Sequence, residues 1–368
     1  MKEPRQITTL QSSIIVINST IGISVLALPR IASENVGSGA LMATGLGIMF
    51  SILGVIVIAS LSRRFTKENL ISYSQKIVGK PIGKLVGFIL MLYFAALSSI
   101  VLREFGEVMN TTLLQDTPIT VTTIALLIVV AVATRNNMTT ISFMHTYYLP
   151  FIVLPIITMV IFSIQDMDIR NIKPILGNGT MLVDLLGGGL SIVSLPFIQI
   201  GLFIILIITP HMVQPKTIIK GGVWGILISG VVIFLATFAT LAVFGSEEVK
   251  KSLWPMLVLT RMTELPVAIL ERLDIVFLVV WIISAFTTLL SGYLIFIELG
   301  SQLFRLRSHR VLSYLGLVIV YGLAFYPDNI LHLYQVTDIL GKWGLTLTIF
   351  YPLVLLTVAK LRRMEADQ

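Results

Sequence analysis

From near its N-terminus almost to its C-terminus, the chain alternates apolar runs of about twenty residues with short polar joints. One helix needs a run of that length to cross the roughly 30 Å hydrocarbon core of a bilayer. Lipid offers no partner to backbone N–H and C=O groups, so such runs must be helices that satisfy those groups internally. Only 12% of the 368 residues are charged, while 56% are hydrophobic. A soluble domain carries about twice that charge. The pattern excludes a water-soluble globule and predicts an all-α integral membrane protein with one polytopic domain over residues 1–368.

Residues 8–28, 38–62, 85–108, 118–134 and 140–164 read as five transmembrane helices. Residues 184–210, 217–245, 274–302, 311–326 and 337–360 read as five more, the ninth being the shortest. If both termini and the joints after even-numbered spans share one side, that side holds 17 of the 26 Lys and Arg residues. The positive-inside rule then puts the N- and C-termini in the cytoplasm, and the net charge of +7 reads as topology, with no nucleic-acid partner. No small-residue cleavage site follows the first run, so it is expected to be a retained span and not a signal peptide. Residues 247–274 mix charge with short apolar runs and hold Trp254, Pro255 and Pro266. They are expected to form a helical segment on the outer surface, with Trp at headgroup depth.

Two spans differ from the Leu/Ile/Val norm. The first contains Asn18-Ser19-Thr20-Ile21-Gly22-Ile23-Ser24, with Pro29 expected to close the run. The sixth contains Gly187-Gly188-Gly189, Ser191, Ser194-Leu195-Pro196 and Gln199. Pro removes a backbone donor and clashes with the preceding turn, and Gly weakens a helix interior by about 1 kcal/mol relative to Ala. These are the leading helices of spans one to five and six to ten. Matched interruptions in two halves are the sequence sign of a 5+5 inverted repeat, here about 8–164 and 184–360. Unwound backbone survives in a membrane only against a cavity or other protein, and half-helix N-termini carry positive partial charge. Two ordinary kinked helices are the competing reading.

Other chemistry is sparse. Arg103, Glu104, Glu107, Glu298 and His145 all read as near span ends, with Arg103 and Glu107 at the spacing of a rim ion pair. No mid-membrane carboxylate relay for proton coupling is visible. The four histidines have no metal spacing, and the absence of cysteine excludes disulfides, thiolate metal sites and a Cys nucleophile. Gly79-Lys80-Pro81-Ile82-Gly83-Lys84 lacks the P-loop pattern, and Gly83-x-x-x-Gly87 fits close helix packing. Asn110-Thr111-Thr112 and Asn178-Gly179-Thr180 match a glycosylation pattern common by chance. No catalytic set can be assembled, so neither an enzyme nor a cofactor is expected.

Gly22-Ile23-Ser24-Val25-Leu26-Ala27-Leu28-Pro29 resembles the first-helix signature of the amino acid/polyamine/organocation transporter superfamily. Further motifs resemble the spore germination protein family. They are Arg103-Glu104-Phe105-Gly106-Glu107 with Thr117-Pro118, Trp254-Pro255, Glu271-Arg272-Leu273-Asp274 leading to Trp281, and Tyr326-Pro327. That family comprises B subunits of nutrient germinant receptors. The resemblance implies a ten-helix LeuT-like fold with broken helices 1 and 6 in the spore inner membrane. It also implies a complex with a membrane-embedded A subunit and a lipoprotein C subunit, and a germinant, amino acid or sugar, held at the broken helices.

On this resemblance the expected ligand-binding residues are Ser19, Thr20, Gly22 and Ser24 in the first span and Ser194, Leu195, Pro196 and Gln199 in the sixth. Ser24 stands where the superfamily has its second Gly, and Ile198-Gln199 where the family commonly has Gly-Glu. A neutral amide there favours a neutral ligand group over an ammonium. Helix geometry adds Tyr93 and Leu97 on span three and Phe286, Thr287 and Leu290 on span eight as pocket walls, against plain interhelical packing. An amino-acid permease on the same fold, and a ligand-free scaffold for a channel complex, are the alternative functions.

Overall fold

The computed structural model describes residues 7–177, 181–262, 273–306 and 308–364. The first span is α1 (Thr9–Ile21) and α2 (Ser24–Val36), the second is α3 (Ala40–Arg64), and α4 (Leu70–Val78) lies in the joint. Spans three to five are α5 (Lys80–Thr112), α6 (Ile119–Ala133) and α7 (Met138–Phe162). Span six is α8 (Leu182–Val193) with α9 (Pro196–Ile208), bent by 60° at the break. Span seven is α10 (Ile218–Lys251), followed by the short α11 (Pro255–Met262). Spans eight and nine are α12 (Leu273–Leu303) and α13 (Arg310–Ala324), and span ten is α14 (Ile330–Leu345), a π-helical segment Thr346–Phe350, and α15 (Tyr351–Leu361).

Local sequence explains most of these ends. A capping box starts α1: Thr8 Oγ1 accepts from Gln11 N at 3.2 Å, and Gln11 Oε1 accepts from Thr8 N at 2.9 Å. Asn69, Asn137 and Asn329 cap α4, α7 and α14 through side-chain oxygens. Within α10, Gly245 takes φ 74°, a value that favours glycine, and span seven ends there as expected.

Three boundaries differ from expectation. Pro29 does not close the first span. It sits inside α2, and the helix is interrupted earlier, at Gly22-Ile23. At that point polar residues and the missing side chain weaken the helix together, while the segment after the interruption restarts with its own register. Span ten begins at Ile330, seven residues before the apolar run, because Asn329 caps a more polar first half. In the segment 247–274, α11 packs on α2, α10 and α12, and Trp254 is covered by protein instead of displayed on the surface. Pro266, Glu271, Arg272 and the Asn178 pattern lie outside the described residues, as does the side chain of Asp274.

Packing repeats between the halves. Span one packs on six, two on seven, three on eight and four on nine. The pair one–seven has its counterpart in six–two, and three–nine in eight–four. The contact pattern therefore survives exchange of the halves, as an inverted repeat requires. The outward faces of α6 and α7 are largely apolar, with Val121, Ile128 and Val132 on α6 and Phe143, Phe151 and Leu154 on α7 exposed. Such faces suit lipid, and the protein is a multi-pass, LeuT-like membrane protein with both breaks at the centre.

Candidate ligand site at the helix breaks

The break in span one leaves carbonyls without helical partners, and span eight supplies them. Thr288 Oγ1 donates to Asn18 O at 3.2 Å and Ser19 O at 3.1 Å. Thr287 Oγ1 lies 3.3 Å from Asn18 O, and Ser284 Oγ 3.4 Å from Gly22 O. Ser284, Thr287, Thr288 and Ser291 recur at helical spacing and form a hydroxyl stripe in the middle of α12. Gly22 permits this approach, since a Cβ there would overlap Thr288 Oγ1.

Ser19 extends the network. Its Oγ donates to Ile15 O at 2.6 Å and lies 2.6 Å from Ser291 Oγ, so Ser291 is the donor of that pair. The Ser291 hydroxyl proton is thereby used, and the network assigns the ring proton of neutral His145 to Nε2, 3.4 Å from Ser291 Oγ. Neutral His145 then has a bare Nδ1. That Nδ1 is buried without a hydrogen-bond partner. Asn18 is placed likewise: its Nδ2 donates to His145 O at 2.7 Å, while its Oδ1 is buried and unpartnered. Two orphan acceptors therefore sit at the break of span one. Unpaired buried acceptors are costly and call for a donor. His145 was expected near a span end, but it lies two turns into α7, fully buried against the break.

The break in span six is braced differently. Leu195 is extended (ψ 141°) and Pro196 opens α9. Gln199 Nε2 donates to Ser194 O at 2.8 Å and to Gly341 O at 3.0 Å, while Gln199 Oε1 accepts from the Tyr93 hydroxyl and lies 3.3 Å from Thr348 Oγ1. Every hydrogen-bonding group of the amide is engaged. Gln199 thus braces spans three, six and ten together in this closed conformation. Gly344 makes room for this knot, since a Cβ there would overlap the Tyr93 hydroxyl and Gln199 Oε1. The π-helical turn of span ten carries Thr348 into the same network. π-bulges tend to mark functional sites.

The two breaks meet where Thr20 packs against Gly201. Ser19, Thr20, Gly22 and Thr287 converge with Asn18 and His145; Tyr93, Ser194, Leu195, Pro196 and Gln199 form the second cluster. Leu97 and Leu290 are fully buried among apolar side chains. The side chain of Ser24 is outside the described residues. Phe286 is not at the breaks. It meets Tyr148 edge-on and lines a lateral apolar cavity of about 500 Å³ between α5, α6, α7 and α12, because it projects from the side of α12 away from the hydroxyl stripe.

Next to Gly22, Trp281 and Ser284 the open space is about 10 Å³, about enough for one water. A ligand the size of an amino acid needs α1 or α12 to move. On the face that carries the termini, a polar cavity of about 420 Å³ opens between Asn69, Gln75, His211, Glu298, Gln302 and Arg305. Glu298 pairs there with His309 at 2.9 Å. At the opposite ends, Arg103 pairs with Glu107 at 2.9 Å and stacks over Phe325.

Comparison with known proteins places this geometry. The spore germination protein family model matches residues 6–333. Spore germination protein YndE of Bacillus subtilis (strain 168) is 30% identical over 363 residues, covering 97% of both chains. Spore germination protein A2 of the same organism is 26% identical, covering 98% of this chain and 97% of the relative. Among solved structures, MhsT in complex with L-phenylalanine superposes with a TM-score of 0.66 at 12% identity, over 99% of this chain and 100% of that one. A manganese transporter of Eremococcus coleocola gives 0.63 at 15% identity, over 98% and 81%. These two establish the transporter fold, and the sequence relatives establish the lineage: the chain belongs to the spore germination protein family.

Proposed function

We propose that the chain is the B subunit of a spore nutrient germinant receptor. It binds a small germinant, an amino acid or sugar, at the breaks of spans one and six and signals the start of germination. In this reading it sits in the spore inner membrane with both termini cytoplasmic, beside a membrane-embedded A subunit and a lipoprotein C subunit. The observation that carries the ligand is the pair of orphan acceptors, Asn18 Oδ1 and His145 Nδ1, at a broken helix. They suit a ligand that donates hydrogen bonds, as an ammonium or a sugar hydroxyl does. MhsT, of the same fold, is described with L-phenylalanine. The manganese-transporter neighbour suggests a metal instead, but among the described residues no group of three or more His, Cys, Asp or Glu could hold one.

The closed packing at Gly22 supports a sensor. A ligand that binds an opened conformation better than this one shifts the population toward it, and nothing has to cross the membrane. The test is deletion of the chain in its spore-former. Loss of germination to one nutrient, with vegetative uptake of labelled amino acids unchanged, is the expected result. Lost uptake with normal germination would instead establish a permease.

A further inference from the structure

Span ten carries an ion pair where a lipid-facing helix should have none. Lys342 Nζ lies 2.7 Å from Asp338 Oδ2, and the two side chains are 64% and 55% exposed. Gln335 and Thr346 are exposed on the same face, so a polar stripe runs along α14 into the π-helical turn. Its depth is fixed twice. Lys342 lies about 18 Å along the axis from the start of α14 at 1.5 Å per residue. Its neighbour Gly341 bonds Gln199 at the break of span six, which divides that span into halves of 12 and 13 residues. The stripe therefore reaches mid-bilayer.

Charges at that depth face protein or water, not hydrocarbon. The exposed faces of α6 and α7 at comparable depth carry no charged side chain. Beside the stripe, an apolar groove of about 320 Å³ runs between α5, α13 and α14, past Ala96, Ser99, Val336 and Ile339. Small residues that allow close approach next to polar groups that hydrogen-bond across are the composition of a helix–helix interface in membranes.

We infer that the Asp338–Lys342 face of span ten is the docking surface for a transmembrane helix of a different chain, one presenting hydrogen-bonding or charged groups at mid-bilayer depth. A second copy fits less well. Two copies of one membrane topology meet about an axis along the bilayer normal, which sets Asp338 level with Asp338 and Lys342 level with Lys342. This surface gives the proposed receptor subunit its partner face, and in that respect it rests on that reading.

The test places a diazirine-bearing residue at Ile339 or Trp343 in the full chain, in native spore membranes, with Ile124 and Phe151 as controls on α6 and α7. The expected result is one protein adduct with a mass different from a dimer of this chain. It forms at least tenfold more from Ile339 and Trp343 than from the controls. It falls at least tenfold in Asp338→Leu/Lys342→Leu, while the level and monodispersity of the purified chain stay unchanged. The charge swap Asp338→Lys/Lys342→Asp keeps the internal pair and is expected to lose the adduct as well, which separates docking from folding. An adduct of twice the chain's mass, or lipid adducts alone at control yield, overturns the inference. Adduct formation is scored without any nutrient, so it can fail or succeed independently of the germination assay.

Discussion

Gln199 is the residue whose loss should be felt most. Replacing it by Leu strands Ser194 O, Gly341 O and the Tyr93 hydroxyl in the core, at about 1–3 kcal/mol for each unsatisfied group. Gln199→Leu is expected to lower the thermal unfolding temperature of the purified chain by several degrees, measured in lipid nanodiscs; an unchanged midpoint would remove the bracing role. His145 makes a contrasting case. His145→Leu gives up one weak bond to Ser291 and an orphan acceptor, so it should cost little stability. It is nevertheless expected to raise the half-maximal nutrient concentration for germination about tenfold, the equivalent of roughly 1.4 kcal/mol of ligand binding. Gln199 and Ser19 were legible in the sequence because they sit beside Pro196 and Gly22. His145, Asn18 as an acceptor, Gly344 and Thr348 were not, because their roles depend on which distant spans touch. The hydroxyl stripe Ser284-Thr287-Thr288-Ser291 is readable at helical spacing, but which carbonyls it faces is not.

At the scale of the element, the two breaks are solved by different means. Span one is opened by a close approach at Gly22 and capped by hydroxyls of α12. Span six is opened by a proline with no N–H to give and tied by one amide. This explains why composition located both interruptions but misjudged Pro29. A proline inside a helix costs one bond and a kink, and Pro29 sits one turn inside α2 without ending it. Pro196→Ala restores the missing donor and is expected to favour a continuous span six. Spores carrying it should hold normal amounts of the chain but require higher nutrient concentrations, scored by immunoblot and germination rate together. A normal response at normal levels would show that the break is dispensable.

At the scale of the molecule, apolar run lengths predict ten passes; six described helical stretches are long and apolar enough to cross alone, the bent pair of span six makes a seventh, and α6 and α13 are shorter apolar helices. The pairing of span n with span n+5 could be anticipated only through the matched breaks, and the docking face of span ten not at all, because exposure is a property of the assembled bundle. Orientation remains an arithmetic of charge. The chain has no cysteine, so a single Cys introduced at Ser308 or at Gln115 reports sidedness directly. A membrane-impermeant maleimide applied to intact cells is expected to label Gln115→Cys and spare Ser308→Cys, and the reverse would invert the topology.

The central claim is that the broken helices hold the germinant. The most direct measurement is the nutrient dose–response of spores carrying Gly22→Val, whose side chain would strike Thr288, at chain levels matched to the parent. The expected result is a shift of about tenfold or more in half-maximal concentration for one nutrient, with responses to other nutrients unmoved. An identical dose–response at matched levels would contradict it.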